Sequence, residues 1–298
     1  MTTAPEPARP RIVDAHTHVF PPEMIRRREE KCRLDAWFAA LYSDPKAALA
    51  PIETLISSMN RAGVERSIIC GFPWTDPVMC REHNDYMRHC ARDAPDRLSW
   101  LGIVAPSGGS LAVREARRCF EGGASGIGEL NSDAQGFAWD DQHLLAPLVD
   151  VCKAHDRPMM FHASEPVGHA YPGKGSATPA KILAFLQAFP GVRGVAAHWG
   201  GGLPFHELMP EVARAASRLV YDSAATTYLY RDDVFAAVVS IVGSERVLFA
   251  SDYPVLGQER LLRRVRALPW VDARQETAVL GANAMRVYRI GDGREAAE

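Results

Sequence analysis

Short runs rich in Val, Ile and Phe recur along the chain, and most are followed by a stretch whose apolar positions return every three to four residues. The runs are Ile12–Val19, Arg66–Phe72, Leu98–Pro106, Ala124–Leu130, Pro158–Ser164, Gly194–Gly200, Leu219–Thr226 and Val247–Pro254. Helical periodicity marks Val78–Ala94, Leu111–Glu121, Gln142–His155, Pro179–Phe189, Glu207–Ser217 and Asp233–Val242. Strands alternating with helices predict parallel βαβ units. Near-continuous apolar runs such as Ser67-Ile68-Ile69-Cys70 predict strands buried on both faces. Eight such units point to an α/β fold, a single closed (β/α)8 TIM-type barrel rather than an open sheet. Glycines at Gly63 and Gly122 sit just after helical runs, where helix C-caps fall. The longest excursion, Phe20–Pro51, is an insertion after strand one. On the catalytic face of a barrel it reads as a lid or substrate loop, the alternative being a surface decoration.

Length agrees with one barrel: the chain has 298 residues, and such a barrel typically takes about 250. The barrel is expected over residues 12–290, with a disordered tail at 1–11 and a short tail at 291–298. A formal net charge of −2 argues against nucleic acid as partner, because phosphate contacts need a concentrated positive surface. The basic run Arg26-Arg27-Arg28 is followed directly by Glu29-Glu30 and reads as a solvated helix face. No apolar run approaches the roughly 20 residues needed to span a bilayer. The six cysteines form no Cys-x-x-Cys pair, and a chain of this size needs no disulfide to hold its core. The expectation is a cytoplasmic protein, with no membrane association, acting on a small molecule.

The unusual polar residues fall at the ends of the predicted strands. His16 and His18 end the first, Glu129 the fourth, His162 the fifth, His198 the sixth and Asp252 the eighth. Barrel active sites form at the C-terminal ends of the strands. One histidine there is ordinarily a satisfied core residue; four histidines and two carboxylates converging on one mouth are a site. Residues two apart on a strand share a face, so His16 and His18 point inward together, and imidazole with carboxylate oxygen is a donor set for first-row divalent ions. Asp14 lies one step deeper and could accept a hydrogen bond from a ligand histidine. His83, His89, His143, His155 and His206 end no strand and read as structural.

These residues lie in segments that resemble the amidohydrolase superfamily, in the branch containing aminocarboxymuconate-semialdehyde decarboxylase and related hydrolases. The matching segments are Val13-Asp14-Ala15-His16-Thr17-His18, Phe161-His162-Ala163-Ser164-Glu165-Pro166, Ala197-His198-Trp199-Gly200-Gly201-Gly202, Tyr221-Asp222-Ser223 and Ser251-Asp252-Tyr253-Pro254. The resemblance implies that His16, His18, His162 and Asp252 hold one divalent ion, most often zinc with manganese as the alternative, and that His198 stands beside it as an acid, base or polarising group. It also implies a homodimer. Glu129 is open between a ligand role, a bridge between two ions and a substrate contact.

An ion in a dry pocket activates water, and Asp252 is placed to carry its proton. The leading expectation is therefore metal-dependent hydrolysis of an amide, lactone, ester or activated C–C bond. The alternative is nonoxidative decarboxylation of a small unsaturated or aromatic acid by the same residues, and a barrel without chemistry is the third reading. Candidate substrate contacts are Glu165, His169, Tyr171 and Lys174 on the loop after strand five, unless that loop is merely solvated. Trp74 after strand two could be an aromatic wall or rim packing. Tyr228, Tyr230 and Arg231 after strand seven could orient an anion, since an arginine fork suits carboxylates.

Overall fold

The computed structural model describes residues 11–270 and 272–291. Apart from Arg11 and Gly291, the expected tails lie outside that range. Eight parallel strands run in sequence order: β1 Val13–His18, β2 Arg66–Cys70, β3 Leu98–Gly102, β4 Gly126–Leu130, β5 Met159–Phe161, β6 Gly194–Ala196, β7 Leu219–Asp222 and β8 Val247–Leu248. The last strand returns to the first: the Ala15 amide donates to the Phe249 carbonyl (2.9 Å), the Asp252 amide to the His16 carbonyl (3.1 Å) and the His18 amide to the Tyr253 carbonyl (2.6 Å). That seam closes the barrel.

Two apolar layers hold it. Val13, Ala15, Ile68, Leu101, Met160, Val195 and Leu248 fill the lumen, with Tyr288 of the last helix packed among them. Ile69, Trp100, Ile127, Phe161, Leu219 and Val247 belong to the larger layer shared with the surrounding helices. Strands buried on both faces are what parallel barrel strands require.

The observed strands stop earlier than the apolar runs do. β5, β6 and β8 end at Phe161, Ala196 and Leu248, so His162, His198 and Asp252 stand on the connections just beyond their strands. The apolar run continues because these connections remain buried, not because the ladder does. His198, Trp199 and Asp252 have φ of 56°, 56° and 65°, left-handed backbone that ends a strand and costs about 1–3 kcal/mol per residue.

The insertion after β1 is three short helices, α1 Pro22–Arg26, α2 Arg28–Leu34 and α3 Ala36–Tyr42, before the first barrel helix α4 Ile52–Ala62. Asp35 starts α3 by accepting the Phe38 amide at 2.8 Å, a typical N-cap. Arg26 and Arg27 pair with Glu23 and Glu30 on the surface as expected. Arg28 departs from that reading, donating to the carbonyls of Asp44 (3.2 Å) and Ala47 (2.9 Å) and so tying down the strap that follows α3. Phe20, Phe38 and Tyr42 then pack against Phe72 and Trp74 at the end of β2, with ring centroids 4.6–6.1 Å apart. The described cysteines are unpaired. Among the described residues no helix is long and apolar enough to cross a membrane.

Candidate metal centre

Six ligand-type side chains meet at the barrel mouth in two adjoining groups, His16 with His18 and Asp252, and Glu129 with His162 and His198. The Nε2 atoms of His16 and His18 are 3.0 Å apart. Glu129 Oε2 lies 3.5 and 3.6 Å from them, and Asp252 Oδ1 lies 3.9 and 3.5 Å from them. The other oxygen of Glu129 faces His162 Nδ1 at 2.8 Å and His198 Nε2 at 3.2 Å. Glu129 thus stands between the two groups, which answers where it is.

Three of the histidines are oriented from behind. His16 Nδ1 donates to Asp222 Oδ2 (2.9 Å), His162 Nε2 to the Gly173 carbonyl (3.1 Å) and His198 Nδ1 to the Ala224 carbonyl (3.3 Å). With one nitrogen of each ring engaged, the other is left facing inward, the arrangement by which ligand histidines are held. The inward atoms are then lone-pair donors crowded 3–4 Å from one another. Ligands each roughly 2.0–2.3 Å from a common ion have such separations. The donor set therefore fits a divalent cation.

Electrostatics tell the same story. Burial opposes charge on His16, yet Glu129 and Asp222 outweigh it and hold its pKa well above the usual imidazole range. Burial also opposes charge on His198, but the hydrogen bond to Glu129 and the nearby carboxylates push it up to about 9. His18 moves the other way, lowered by burial and by the charge of His16. Burial would raise Glu129, but His16 and His162 hold it well below the usual carboxylate range. The cluster gathers positive charge, as protons or as an ion that displaces them.

Asp14 does not take the role expected of it. The register of β1 against β2 shifts between Asp14 and Thr17, and a bulge of this kind moves a side chain to the other face. Asp14 instead accepts from the Ser251 amide (2.9 Å), the Ser251 hydroxyl (2.6 Å) and Gln258 (2.9 Å), and burial pushes its pKa up to about 6. Asp14 meets His16 only at the backbone amide, at 3.4 Å; the acceptor for the His16 ring is Asp222. Nothing in the Tyr221-Asp222-Ser223 segment by itself marks Asp222 for that role.

Above the donors lies a cavity of about 460 Å³, within the usual range for a small-molecule site. Tyr171 and Tyr228 line it, together with Trp37, Tyr42, Lys46 and Phe72. Trp37 and Tyr42 on α3 and Lys46 just after it belong to the insertion expected as a lid or substrate loop, and nothing local in the sequence says which of its side chains meet the mouth. Trp74 is a correction: it is fully buried behind Phe72, with its indole N–H donating to His83 at 3.1 Å, and touches no part of the cavity. Arg231 is another: it is exposed and pairs with Asp233 at 2.8 Å. Glu165, His169 and Lys174 line a neighbouring cavity of about 340 Å³, which Tyr171 and Leu229 separate from the first. Tyr171 donates to Glu165 (3.0 Å), and Lys174 staples the loop by donating to the carbonyls of Val167 and His169. The glycines after His198 let backbone pass close by: a Cβ on Gly201 would stand 2.4 Å from the Ser164 carbonyl oxygen.

The family model described as Amidohydrolase matches residues 13–290. The chain belongs to the amidohydrolase family. Solved structures similar to this amidohydrolase include 5-carboxyvanillate decarboxylase from Sphingomonas paucimobilis, at 18% identity and a TM-score of 0.79, with 94% of this chain and 99% of that chain covered. The 5-carboxyvanillate decarboxylase from Novosphingobium aromaticivorans, complexed with manganese and 4-hydroxy-3-methoxy-5-nitrobenzoic acid, matches at 18% identity and 0.77, covering 94% and 96%. The 2,6-dihydroxybenzoate decarboxylase from Rhizobium matches at 16% and 0.72, covering 94% and 99%. At these identities the likeness is one of fold. No curated protein matches the sequence significantly.

Proposed function

We propose that this amidohydrolase is a divalent-metal-dependent decarboxylase of small aromatic carboxylic acids. The observation that carries this reading is the cavity. Its floor is the donor cluster, its walls include the rings of Trp37, Tyr42, Phe72, Tyr171 and Tyr228, and its rim carries one lysine, Lys46. Flat apolar walls suit a ring substrate, and an ion with an imidazole beside it suits its carboxylate. Hydrolysis, the leading expectation from sequence, makes no demand for aromatic walls. The likeness in fold to decarboxylases of ring acids supports the same choice.

His16, His18, His162, Glu129 and Asp252 would hold the ion, which supplies positive charge that draws the substrate's oxygen atoms to the floor. The aromatic walls orient the ring. His198, beside the donors at the cavity floor, steadies the carboxylate by hydrogen bonding. Asp252 carries a proton from solvent to the ring carbon that bears the carboxylate. A C–H bond forms there, the C–C bond to the carboxylate breaks, its electron pair returns to the ring, and carbon dioxide leaves. Burial of the donors keeps water from competing for the ring carbon.

For the ion, the imidazoles suit zinc, while Glu129 and Asp252 add oxygen donors that suit manganese; a related fold carries manganese. We place manganese beside zinc, and metal analysis of protein grown with each decides between them. The homodimer that the family resemblance implies and the cytoplasmic location expected from the sequence belong to this reading too, and light scattering tests the first. The reaction is tested by incubating hydroxylated benzoates with metal-loaded protein and following released carbon dioxide. Acid release from esters or lactones without any carbon dioxide would return the assignment to hydrolysis.

A further inference from the structure

The two groups of donors hang from different parts of the barrel: His16, His18 and Asp252 from β1 and the β8 connection, Glu129, His162 and His198 from β4 and the connections after β5 and β6. Glu129 joins them from the side that faces the cavity. A second carboxylate joins them from below. Asp222 is the last residue of β7, which pairs with both β6 and β8, and it is fully buried. Its two oxygens are divided between the groups. Oδ2 accepts from His16 Nδ1 at 2.9 Å, while Oδ1 accepts from the backbone amides of His198 at 2.9 Å and Ala224 at 3.0 Å.

Each contact has a consequence. The first keeps the His16 proton on Nδ1, so that Nε2 presents its lone pair to His18 and Glu129. The second anchors the entry to a turn in which His198, Trp199, Gly200 and Gly201 all have φ between 56° and 61°. Left-handed backbone of that kind persists only where its surroundings hold it. The His198 amide is its first anchored group, and the position of that residue sets the 3.2 Å approach of its ring to Glu129. Both oxygens of Asp222 are engaged on the side away from the cavity, so it is a positioning residue rather than a ligand.

We infer that Asp222 couples the two halves of the centre: it sets the metal-binding tautomer of His16 and the placement of His198 at the same time. The inference rests on the metal reading above, and its test separates the two. Asp222→Asn keeps an acceptor for the amides but sets an NH2 group against His16 Nδ1–H. Metal affinity of the variant, measured by chelator competition with manganese and with zinc, is expected to fall about 10–100-fold, the usual effect of losing such a partner. At saturating metal kcat is expected to stay at least tenfold down with KM within threefold, because His198 is displaced as well, and the Mn(II) EPR spectrum is expected to change. Metal affinity and saturated kcat both within twofold of wild type would overturn the coupling, as would a loss of stability alone with metal affinity and EPR spectrum unchanged. Should Asp222→Asn fail to fold, 15N NMR of the wild-type histidines decides instead, with the His16 signal identified by its loss in His16→Gln. Read at a pH where the His16 ring keeps a single proton, its place on Nδ1 supports the inference and its place on Nε2 overturns it. Wild-type protein that binds neither metal would sink the proposed function, while the NMR measurement would still judge the role of Asp222.

Discussion

Two sealed regions meet at the His18–Val19 peptide: the donor cluster around His16, and the aromatic packing around His83 on helix α5 (Pro77–Asp93). Both histidines have no exposed surface. Around His16 the partners are carboxylates, and its pKa is raised despite burial. Around His83 they are neutral. Its Nε2 donates to the Val19 carbonyl at 2.6 Å, and its Nδ1 accepts the Trp74 indole N–H at 3.1 Å and the Phe72 amide at 3.4 Å. Burial dominates there and lowers the pKa to about 4. Burial alone therefore does not tell a ligand from a core residue; the charge of the groups it is buried with does.

Substitution at the charged region should cost turnover, and at the neutral region stability. The largest effect is expected from Asp252→Asn, which removes the proton carrier: kcat should fall by at least about 10³-fold, or roughly 4 kcal/mol of barrier, while metal analysis shows much of the ion retained. Substantial remaining turnover would remove Asp252 from the mechanism.

Next is His83→Ala, which leaves three buried partners unpaired and a cavity; urea unfolding should report a loss of about 2–4 kcal/mol. His83 also sets a pH dependence. Its folded pKa lies below the ordinary 6.5, so folded and unfolded chains bind the same protons above that value. As pH falls from 6.5 toward 4 the unfolded chain takes up a proton that the folded chain refuses, and stability drops by roughly 3 kcal/mol. His83→Phe should lose that part of the slope between pH 7 and 4. An unchanged slope would mean that His83 is charged in the folded state and that the contrast with His16 fails.

Smaller effects are expected at the rim. The Lys46 ammonium has no hydrogen-bond or ion-pair partner among the described residues, and it is the one lysine lining the cavity. For substrates with an anionic group distant from the floor, Lys46→Met should raise KM about tenfold, worth about 1.4 kcal/mol, with kcat little changed. An equal effect on uncharged ring substrates would argue against charge recognition. The smallest change should come from Arg231→Ala. Its surface ion pair with Asp233 is the kind that contributes about 0–1 kcal/mol, and steady-state kinetics should move by less than twofold.

The barrel was legible in the sequence because its signal is local. Period-two inward pairs such as His16 and His18, buried runs such as Ser67–Cys70 and glycine stops such as Gly63, which caps α4 with φ of 72°, each depend on neighbours along the chain. The gathering of His16, His18, Glu129, His162, His198 and Asp252 followed, since strand order in a (β/α)8 barrel brings every strand end to one mouth. Tertiary structure alone decided the rest. Asp222 reaches His16 across 206 positions of sequence, and the same bulge that carries Asp14 outward is invisible in a residue pattern that reads as a regular strand. The aromatic packing that withdraws Trp74 and presents Trp37, Tyr42 and Lys46 likewise depends on how three short helices settle over the mouth. A strand's period determines which side chains face inward; which partner each one meets there is determined by the register and twist of strands far apart in the chain.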